Sequence, residues 1–290
     1  MTQWTIGVIG GSGLYEIDGL DDAQTVNVDT PWGPPSDTLV KGQIGDVTFI
    51  FLPRHGKGHR LTPSTVPYRA NIDALKRLGC TDVLSISACG SLKDTYAPGD
   101  FVMVDQFIDR TFARETSFFG PGMVAHVSMA DPICPRLSAL AGEAAEAAGA
   151  KVHHGGTYLT MEGPQFSSRA ESHLYRQWGC NVIGMTNAPE AKLAREAELP
   201  YATIAMVTDY DCWREDEEGV TVTNVLEVMA SNTAKAKQTL RCLAASLQDT
   251  PRTLSPLGIE TCLDHALITV PEARDPALLA KLDAIAGRVL

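Results

Sequence analysis

Two carboxylates stand one residue apart in the stretch Thr208-Asp209-Tyr210-Asp211-Cys212-Trp213. The apolar run before them, residues 201–207, predicts a strand that is buried on both faces in a parallel sheet. Because open α/β sheets bind ligands beyond the carboxyl ends of their strands, we expect Asp209 and Asp211 in a ligand crevice. Acids there suit the ring nitrogens of a base, although Asp is also a common turn residue, which leaves a plain turn as the alternative.

The first strand-like run, residues 4–9, leads into Gly10-Gly11-Ser12-Gly13-Leu14. Glycines at such a site let backbone N–H groups approach an anion, and Ser12 adds a hydroxyl donor. A dinucleotide-binding fingerprint is the alternative, but it requires Gly or Ala at position 16, where this chain has Glu16. We therefore predict a phosphate loop.

Further anion donors follow other strand-like runs. Arg54 and His55 come after residues 47–52, Ser87 ends the run 82–87, and Thr186 follows the run 181–185. Arg54 can bind a phosphate through paired N–H groups, and His55 can donate one more hydrogen bond. A solvated basic loop is the alternative for residues 54–60. The shared position at strand ends favours anion binding.

Apolar faces that suit a flat base and a sugar come from Phe166, Met185, Tyr210 and Trp213. Donors for an anion, faces for a sugar and base, and acids for ring nitrogens together predict a nucleoside that is cleaved by phosphate. A nucleotide-binding regulatory module without turnover is the alternative from another class. A nucleoside hydrolase is disfavoured, because no Asp-rich calcium cradle is present in the sequence.

The elements that must position these residues alternate between strand-like and helix-like segments, which predicts an α/β fold with one mixed, mostly parallel sheet flanked by helices. Capping boxes at Ser168-x-x-Glu171 and Asn187-x-x-Glu190 predict two helix starts. We expect a loop over residues 108–128, a linker over 249–256 and a terminal helix over 277–290. The expected organisation is one domain over residues 1–248, with a C-terminal extension over 249–290 packed on it.

Composition excludes several classes of function. The net charge of −11 disfavours a nucleic-acid surface, and no apolar run is long enough to span a membrane. The N-terminus lacks the features of a signal peptide. Seven scattered cysteines without Cys-x-x-Cys spacing favour a reducing cytoplasm over a disulfide framework. We expect no metal and no cofactor.

The chain resembles the trimeric purine nucleoside phosphorylase family over about residues 5 to 247. The motifs that carry the resemblance are Gly10-Gly11-Ser12-Gly13-Leu14, Pro34-Pro35-Ser36-Asp37, Arg54-His55-Gly56, Ala88-Cys89-Gly90-Ser91, Pro98-Gly99-Asp100, Asp105-Gln106-Phe107-Ile108-Asp109-Arg110-Thr111, Glu162-Gly163-Pro164-Gln165-Phe166-Ser167-Ser168-Arg169-Ala170-Glu171, Met185-Thr186 and Thr208-Asp209-Tyr210-Asp211-Cys212-Trp213.

The resemblance implies a role for each matching residue. A first group would bind phosphate, a co-substrate: Ser12, Arg54, His55, Ser87, Ala88 and Thr186. A second group would contact the nucleoside, Met185 at the ribose, Phe166 at the purine, and Tyr210 beside the acids. His59 and His126 would lie near the 5′ end of the sugar, with His126 reaching in from a neighbouring subunit of a homotrimer. Ser167 and Val222 would line the region that sets specificity.

The two acids decide which substrate the resemblance implies. A protonated Asp209 would give its proton to N7 of the purine, and an ionised Asp211 would accept from the 6-amino group, which suits adenine. The implied reaction is phosphorolysis of S-methyl-5′-thioadenosine to adenine and 5-methylthioribose 1-phosphate. A 6-oxopurine nucleoside or methylthioinosine phosphorylase is the alternative within the family.

Three residues depart from the family pattern. Ser12 stands where Thr is common, Gly184 precedes Met185 where Asn or a similar polar residue is usual, and Gln165 replaces a common Arg.

Overall fold

The sheet at the centre of the molecule is built from the apolar runs of the sequence. A computed structural model describes residues 3–11, 14, 16–17, 19–214 and 222–290, apart from the side chains of residues 222–226. Within these ranges eleven strands are present: β1 Thr5–Gly10, β2 Asp21–Val26, β3 Leu39–Ile44, β4 Val47–Pro53, β5 Asp82–Ser91, β6 Phe101–Met103, β7 Gln106–Asp109, β8 Val152–His154, β9 Thr157–Thr160, β10 Val182–Gly184 and β11 Tyr201–Asp209.

All of these strands belong to one mixed sheet, which branches at β5. The main path runs β2-β3-β4-β1-β5-β10-β9-β7, while β11 pairs with β5 and β6, and β6 with β8. Parallel pairing joins β1 to β4 and β5, and β11 to β5, so the mixed, mostly parallel α/β class predicted from the sequence is confirmed.

The branch leaves a gap beside the middle of β5. Strand β11 pairs with β5 from Val83 to Gly90 along one side. On the other side β1 pairs with it only as far as Ser85, and β10 takes over from Gly90. Residues 86–89 of β5 therefore have an edge that none of the described strands covers.

Helices flank the sheet in two groups. Their bounds are α1 Tyr68–Arg77, α2 Pro135–Ala147, α3 Arg169–Gln177, α4 Asn187–Glu196, α5 Val222–Leu247, α6 Pro276–Lys281 and α7 Asp283–Ala286. In one group, the first helix along the chain (α1) packs against the fourth (α4) and the seventh (α7). In the other group, the second helix (α2) packs against the fifth (α5), and α5 also contacts β11.

Burial explains why the strand predictions from apolar runs succeed. Every residue of β4 is buried, as are all residues of β11 except Asp209 at its end. The predicted capping box of α3 is also confirmed, because the Ser168 hydroxyl accepts from the Glu171 N–H and the Glu171 carboxylate accepts from the Ser168 N–H.

Three elements differ from the sequence predictions. The hairpin of β2 and β3 was not predicted, because β2 is polar and exposed. Strand β7 begins just before the loop predicted for residues 108–128 and extends into it. The terminal helix is instead two short helices, α6 and α7, with Leu282 between them.

The second predicted capping box is wrong. Helix α4 has Thr186 at its N-cap, the Thr186 side chain makes no capping hydrogen bond to the backbone of the first turn, and Asn187 is already helical. The Glu190 side chain is turned instead toward Arg54, a partner far away in the sequence.

Residues beyond α5 contact the same core as the rest of the chain. Arg252 pairs with Asp82 and Glu260, and Arg288 pairs with Glu198. Leu263 and Ile285 are buried in the main apolar cluster. Among the described helices, α5 included, none combines the length and apolar character that crossing a membrane requires.

Candidate functional site

A cavity of about 410 Å³ opens at the uncovered edge of β5. Its walls come from six strands, β1, β4, β5, β9, β10 and β11, or from residues directly after them, and its middle is largely apolar. The lining residues are Gly11, Leu14, Arg54, His55, His59, Pro63, Ile86, Ser87, Ala88, Cys89, Gly90, Met161, Pro164, Phe166, Ile183, Gly184, Met185, Thr186, Met206, Thr208, Asp209, Asp211, Met229 and Thr233. The structure thus brings four of the predicted anion donors, Arg54, His55, Ser87 and Thr186, into one space with the two predicted acids.

Arg54 lies at one end of the cavity in a buried ion pair with Glu190. Its side chain follows β4, and the two residues are only 3% and 2% exposed. Nε donates to Glu190 Oε1, while Nη2 donates to Glu190 Oε2 at 3.1 Å and to Ser85 Oγ at 2.5 Å. Among the described residues Nη1 contacts only the Ile86 carbonyl, at 3.4 Å, so this nitrogen can still donate to an anion in the cavity.

The electrostatics of this pair favour a permanently charged guanidinium. Burial lowers the pKa of Arg54, but the adjacent Glu190 carboxylate more than offsets this and holds the pKa above its ordinary value. Glu190 also accepts from Ser85 Oγ at 2.9 Å and from the Tyr201 hydroxyl at 3.0 Å. Sequence reasoning missed Glu190, because its spacing from Asn187 imitates a capping box.

His55 is held as a neutral imidazole. Burial, with a further contribution from Arg54, lowers the pKa of His55 to about 4. Nδ1 lies 2.9 Å from the Leu61 carbonyl oxygen, which can only accept, so Nδ1 holds the hydrogen. In this neutral form Nε2 is an acceptor, and the donor role of His55 toward an anion stays a prediction. His59 stacks on His55 with 4.3 Å between ring centroids.

Two hydroxyls of the predicted phosphate site share one partner. Ser87 Oγ donates to Asn187 Oδ1 at 3.1 Å, and Thr186 Oγ1 donates to the same oxygen at 3.3 Å. Asn187 Nδ2 donates to the buried Thr203 hydroxyl, which fixes the orientation of the amide. Asn187 was also missed from the sequence, since an Asn inside a helix start is typical of a cap.

The two acids lie at the opposite end of the cavity, at the end of β11. Asp209 Oδ1 accepts from the Asp211 N–H at 2.8 Å, and Oδ2 lies 2.7 Å from Thr208 Oγ1. Gly90 permits this approach, because a Cβ there would lie 2.9 Å from Asp209 Oδ1. Burial raises the pKa of Asp211 to about 6, the nearby Asp209 adds to the rise, and the Ser172 hydroxyl opposes it.

Between the two ends the cavity is lined by flat and flexible apolar side chains. Phe166 is 53% exposed and forms part of the rim, and Met185 lies between Gly184 and Thr186 on the wall. Among the described residues no cluster of His, Cys, Asp and Glu could hold a metal ion.

Comparison with known proteins identifies the family. The pattern of the phosphorylase superfamily matches residues 5–247. The chain belongs to the phosphorylase superfamily.

Curated relatives of this phosphorylase are similar over nearly their whole length. The S-methyl-5′-thioadenosine phosphorylase of Cereibacter sphaeroides is 63% identical, with 98% of each chain covered. The enzyme of the same name from Bradyrhizobium diazoefficiens is 58% identical and covers 100% of this chain and 99% of its own.

Solved structures agree with the phosphorylase fold. A methylthioadenosine phosphorylase from an antarctic soil metagenomic library has a TM-score of 0.91 at 46% identity, covering 98% of this chain and 99% of its own. The methylthioadenosine phosphorylase of Schistosoma mansoni in complex with adenine has a TM-score of 0.85 at 39% identity. The match covers 91% of this chain and 98% of the Schistosoma chain. The family resemblance expected from the motifs is confirmed.

Some residues predicted for the phosphorylase site lie outside the cavity wall. Trp213 is buried and donates from Nε1 to the Ser91 carbonyl at 2.8 Å, and Tyr210 packs against it edge to face. Ser167 Oγ contacts Met161 Sδ, and the Ser167 carbonyl accepts from Cys212.

Other predicted residues cannot be assigned to the cavity of this chain. His126 is exposed, and its N–H donates to the Ala266 carbonyl at 2.9 Å. Ser12 lies outside the described residues, as does the side chain of Val222 at the start of α5.

A second buried network supports the cavity of this phosphorylase and was not predicted. The Arg114 guanidinium donates to the carbonyls of Met161, Glu162 and Met185 and to the Tyr68 hydroxyl. Glu162 accepts from Ser64 Oγ and from two backbone N–H groups of the segment before Arg114. These contacts tie Met161 and Met185, both on the cavity wall, to one cation. No sequence pattern indicates such long-range pairing.

Proposed function

We propose that this chain catalyses the phosphorolysis of S-methyl-5′-thioadenosine to adenine and 5-methylthioribose 1-phosphate. The observation that carries the proposal is that one cavity holds anion donors at one end and two adjacent acids at the other. The names of the relatives described above support the same substrate.

The proposed reaction follows from the charges that develop. Breaking the C1′–N9 bond leaves positive charge on the sugar and negative charge on the purine. Phosphate held by Arg54 Nη1, Ser87 and Thr186 attacks C1′ and offsets the sugar charge. A proton delivered to N7 makes adenine a neutral leaving group, and general acid catalysis of this kind typically contributes ~10²–10⁴-fold.

Hydrogen bonds around Asp209 support its proposed role as the acid. Thr208 Oγ1 lies within reach of both Asp209 Oδ2, at 2.7 Å, and the Cys89 carbonyl, at 3.2 Å. If the Thr208 hydrogen goes to the carbonyl, Thr208 Oγ1 is an acceptor for a proton on Asp209. The Thr208 hydroxyl can therefore hydrogen-bond to Asp209 both when Asp209 is protonated and when it is ionised, the two states of a general acid.

Asp211 is proposed to select the base. An ionised carboxylate accepts from the 6-amino group of adenine but faces an acceptor in a 6-oxopurine. A buried mismatch of this kind costs roughly 1–3 kcal/mol, which corresponds to about 5- to 150-fold in selectivity.

The decisive experiment measures products from methylthioadenosine and from inosine, each with and without phosphate. We expect adenine and a sugar phosphate only when methylthioadenosine and phosphate are both present. Equal adenine release without phosphate would refute a phosphorylase. Faster turnover of inosine would favour the 6-oxopurine alternative, and no turnover would favour a binding module.

The assembly is proposed to be a homotrimer in which His126 of one subunit approaches the site of the next. Exposed apolar side chains support burial between subunits, since Phe112 is 84% and Ile268 60% exposed in the single chain. Light scattering is expected to give about three times the chain mass of 31.1 kDa. A fully active monomer would contradict this.

The remaining proposals concern organisation and location. Residues 249–290 are proposed to extend the domain of residues 1–248, which the Arg252–Asp82 and Arg288–Glu198 ion pairs support. A cytoplasmic location is supported by the seven cysteines, all of which are unpaired.

A further inference from the structure

Tyr158 is a buried tyrosine whose hydroxyl has no hydrogen-bond partner among the described residues. The side chain is 0% exposed and packs in an apolar cluster with Cys89, Val102 and Val182. Its Oη makes no hydrogen bond to any described group. A buried hydroxyl without a hydrogen-bond partner is destabilising, so the position of this group requires an explanation.

The hydroxyl lies directly behind the cavity wall. A Cβ built on Gly184 would lie 1.8 Å from Tyr158 Oη and 2.6 Å from Cζ, so the tyrosine occupies the space that a side chain at position 184 would need. Gly184 and its neighbours Met185 and Thr186 line the cavity. This explains the departure at position 184, because glycine there is the condition for Tyr158 to approach the site.

Ser87 is the neighbouring hydroxyl on the cavity side. Tyr158 packs in one cluster with Cys89, and Ser87 lies two residues before Cys89 on β5, so both side chains are on the same face of that strand as the tyrosine. The effect of the Ser87 hydroxyl on the pKa of Tyr158, which it lowers against the rise caused by burial, agrees with this placement. The single hydrogen of Ser87 is directed at Asn187 Oδ1 at 3.1 Å. If that hydrogen turns toward an oxyanion in the cavity, the lone pairs of Ser87 Oγ become free to accept.

We propose that Tyr158 is a positioning residue for the phosphate site, donating its hydroxyl hydrogen to Ser87 Oγ so that Ser87 donates to phosphate rather than to Asn187. The proposal rests on the proposed function, because it assigns phosphate as the anion that Ser87 contacts. Tyr158 itself does not line the cavity, so it acts through Ser87.

A double-mutant cycle on phosphate binding tests this. Tyr158→Phe removes one oxygen, and we expect it to raise the KM for phosphate about three- to tenfold, with the KM for methylthioadenosine changed less than about twofold. In a Ser87→Ala background the same change should alter the phosphate KM by less than about twofold, because the acceptor is gone.

Controls separate this role from packing. Tyr96→Phe removes a hydroxyl from a tyrosine that packs against the same cluster but stacks on His153, away from the cavity, and should leave the phosphate KM unchanged. Should the Ser87→Ala enzymes turn over too slowly, protection from thermal unfolding by inorganic phosphate replaces kinetics as the readout.

Two outcomes would overturn the proposal. One is an unchanged phosphate KM in Tyr158→Phe, and the other is the same increase with and without Ser87. Failure of the proposed function is distinguishable, since it would appear as phosphate-independent turnover of the unaltered protein.

Discussion

Removing the charge of Glu190 should destabilise this protein more than removing any exposed carboxylate. Glu190 is the sole described carboxylate that hydrogen-bonds to Arg54, and it also accepts from Ser85 and Tyr201. In Glu190→Gln an NH2 group replaces one of the two carboxylate oxygens. That NH2 group is a donor, and it would face other donors, since Glu190 accepts from all of its described partners. The guanidinium would be left buried without its counter-charge.

The magnitude follows from burial. Both partners are almost completely excluded from solvent, at 3% and 2% exposure, so water cannot replace the lost carboxylate. Breaking a buried ion pair by removing one partner typically costs about 3–5 kcal/mol. We expect a loss of this size in the free energy of unfolding of Glu190→Gln.

Urea unfolding in phosphate-free buffer, at one fixed protein concentration, measures this loss. Glu143→Gln, on the exposed side of α2, is the matched control and should change the free energy of unfolding by less than about 0.5 kcal/mol. The apolar pair Arg54→Met with Glu190→Leu should cost less than the two single changes added together. A loss below about 1 kcal/mol in Glu190→Gln would refute the reasoning, because the pair would then contribute no more than a surface salt bridge.

Further predictions concern the acids and the glycine behind the wall. Asp209→Asn keeps a donor but no transferable proton, so kcat on methylthioadenosine should fall about 10²-fold or more; a near-normal kcat would exclude Asp209 as the acid. Asp211→Ala should reduce the preference for methylthioadenosine over inosine with a smaller effect on kcat, measured as the ratio of kcat/KM values. That ratio should also fall as pH drops through about 6, where Asp211 gains a proton and can donate to a 6-oxo group; a ratio constant between pH 5 and pH 8 would contradict it. The raised pKa of Asp211 also makes the free energy of unfolding depend on pH. Its stabilising contribution is complete below pH 3.8, the ordinary pKa, and is lost as the pH rises through about 6. The free energy of unfolding measured in urea should therefore decline less over this range in Asp211→Asn than in the unaltered protein. Gly184→Ala places a methyl group 1.8 Å from Tyr158 Oη, so the ring must move and the phosphate KM should rise.

The sequence predicts residues that act at strand ends and misses those that support them. Arg54, Ser87 and Asp209 could be found because each belongs to a buried apolar run or follows one directly, and parallel strands bring such ends to one edge. Phe166 and Met185 were found from side-chain type and from the family resemblance. All of these line the cavity.

The supporting residues escaped prediction for physical reasons. Glu190 lies 136 residues from Arg54, and its spacing from Asn187 favours the local explanation of a cap. The hairpin strand β2 is exposed at five of its six residues, so no apolar alternation indicates it. The branching of β5 depends on where β1 stops pairing and β10 begins, which is decided by packing across the whole sheet.

The branch at β5 explains how one small cavity can have groups that stabilise a positive charge on a sugar and groups that neutralise a negative charge on a purine. Strand β1 stops pairing with β5 at Ser85, and β10 begins pairing with it at Gly90. The gap between these two pairings has Arg54 at one end and Asp209 at the other. The wall between is apolar, with Ile86, Met185 and Met206, and a low local dielectric strengthens the interaction of fixed charges with a charged intermediate. Because Glu190 already neutralises Arg54, bound phosphate brings net negative charge toward the sugar. In the proposed reaction that charge would lie beside the cationic sugar, and the acids would lie beside the departing base that needs a proton.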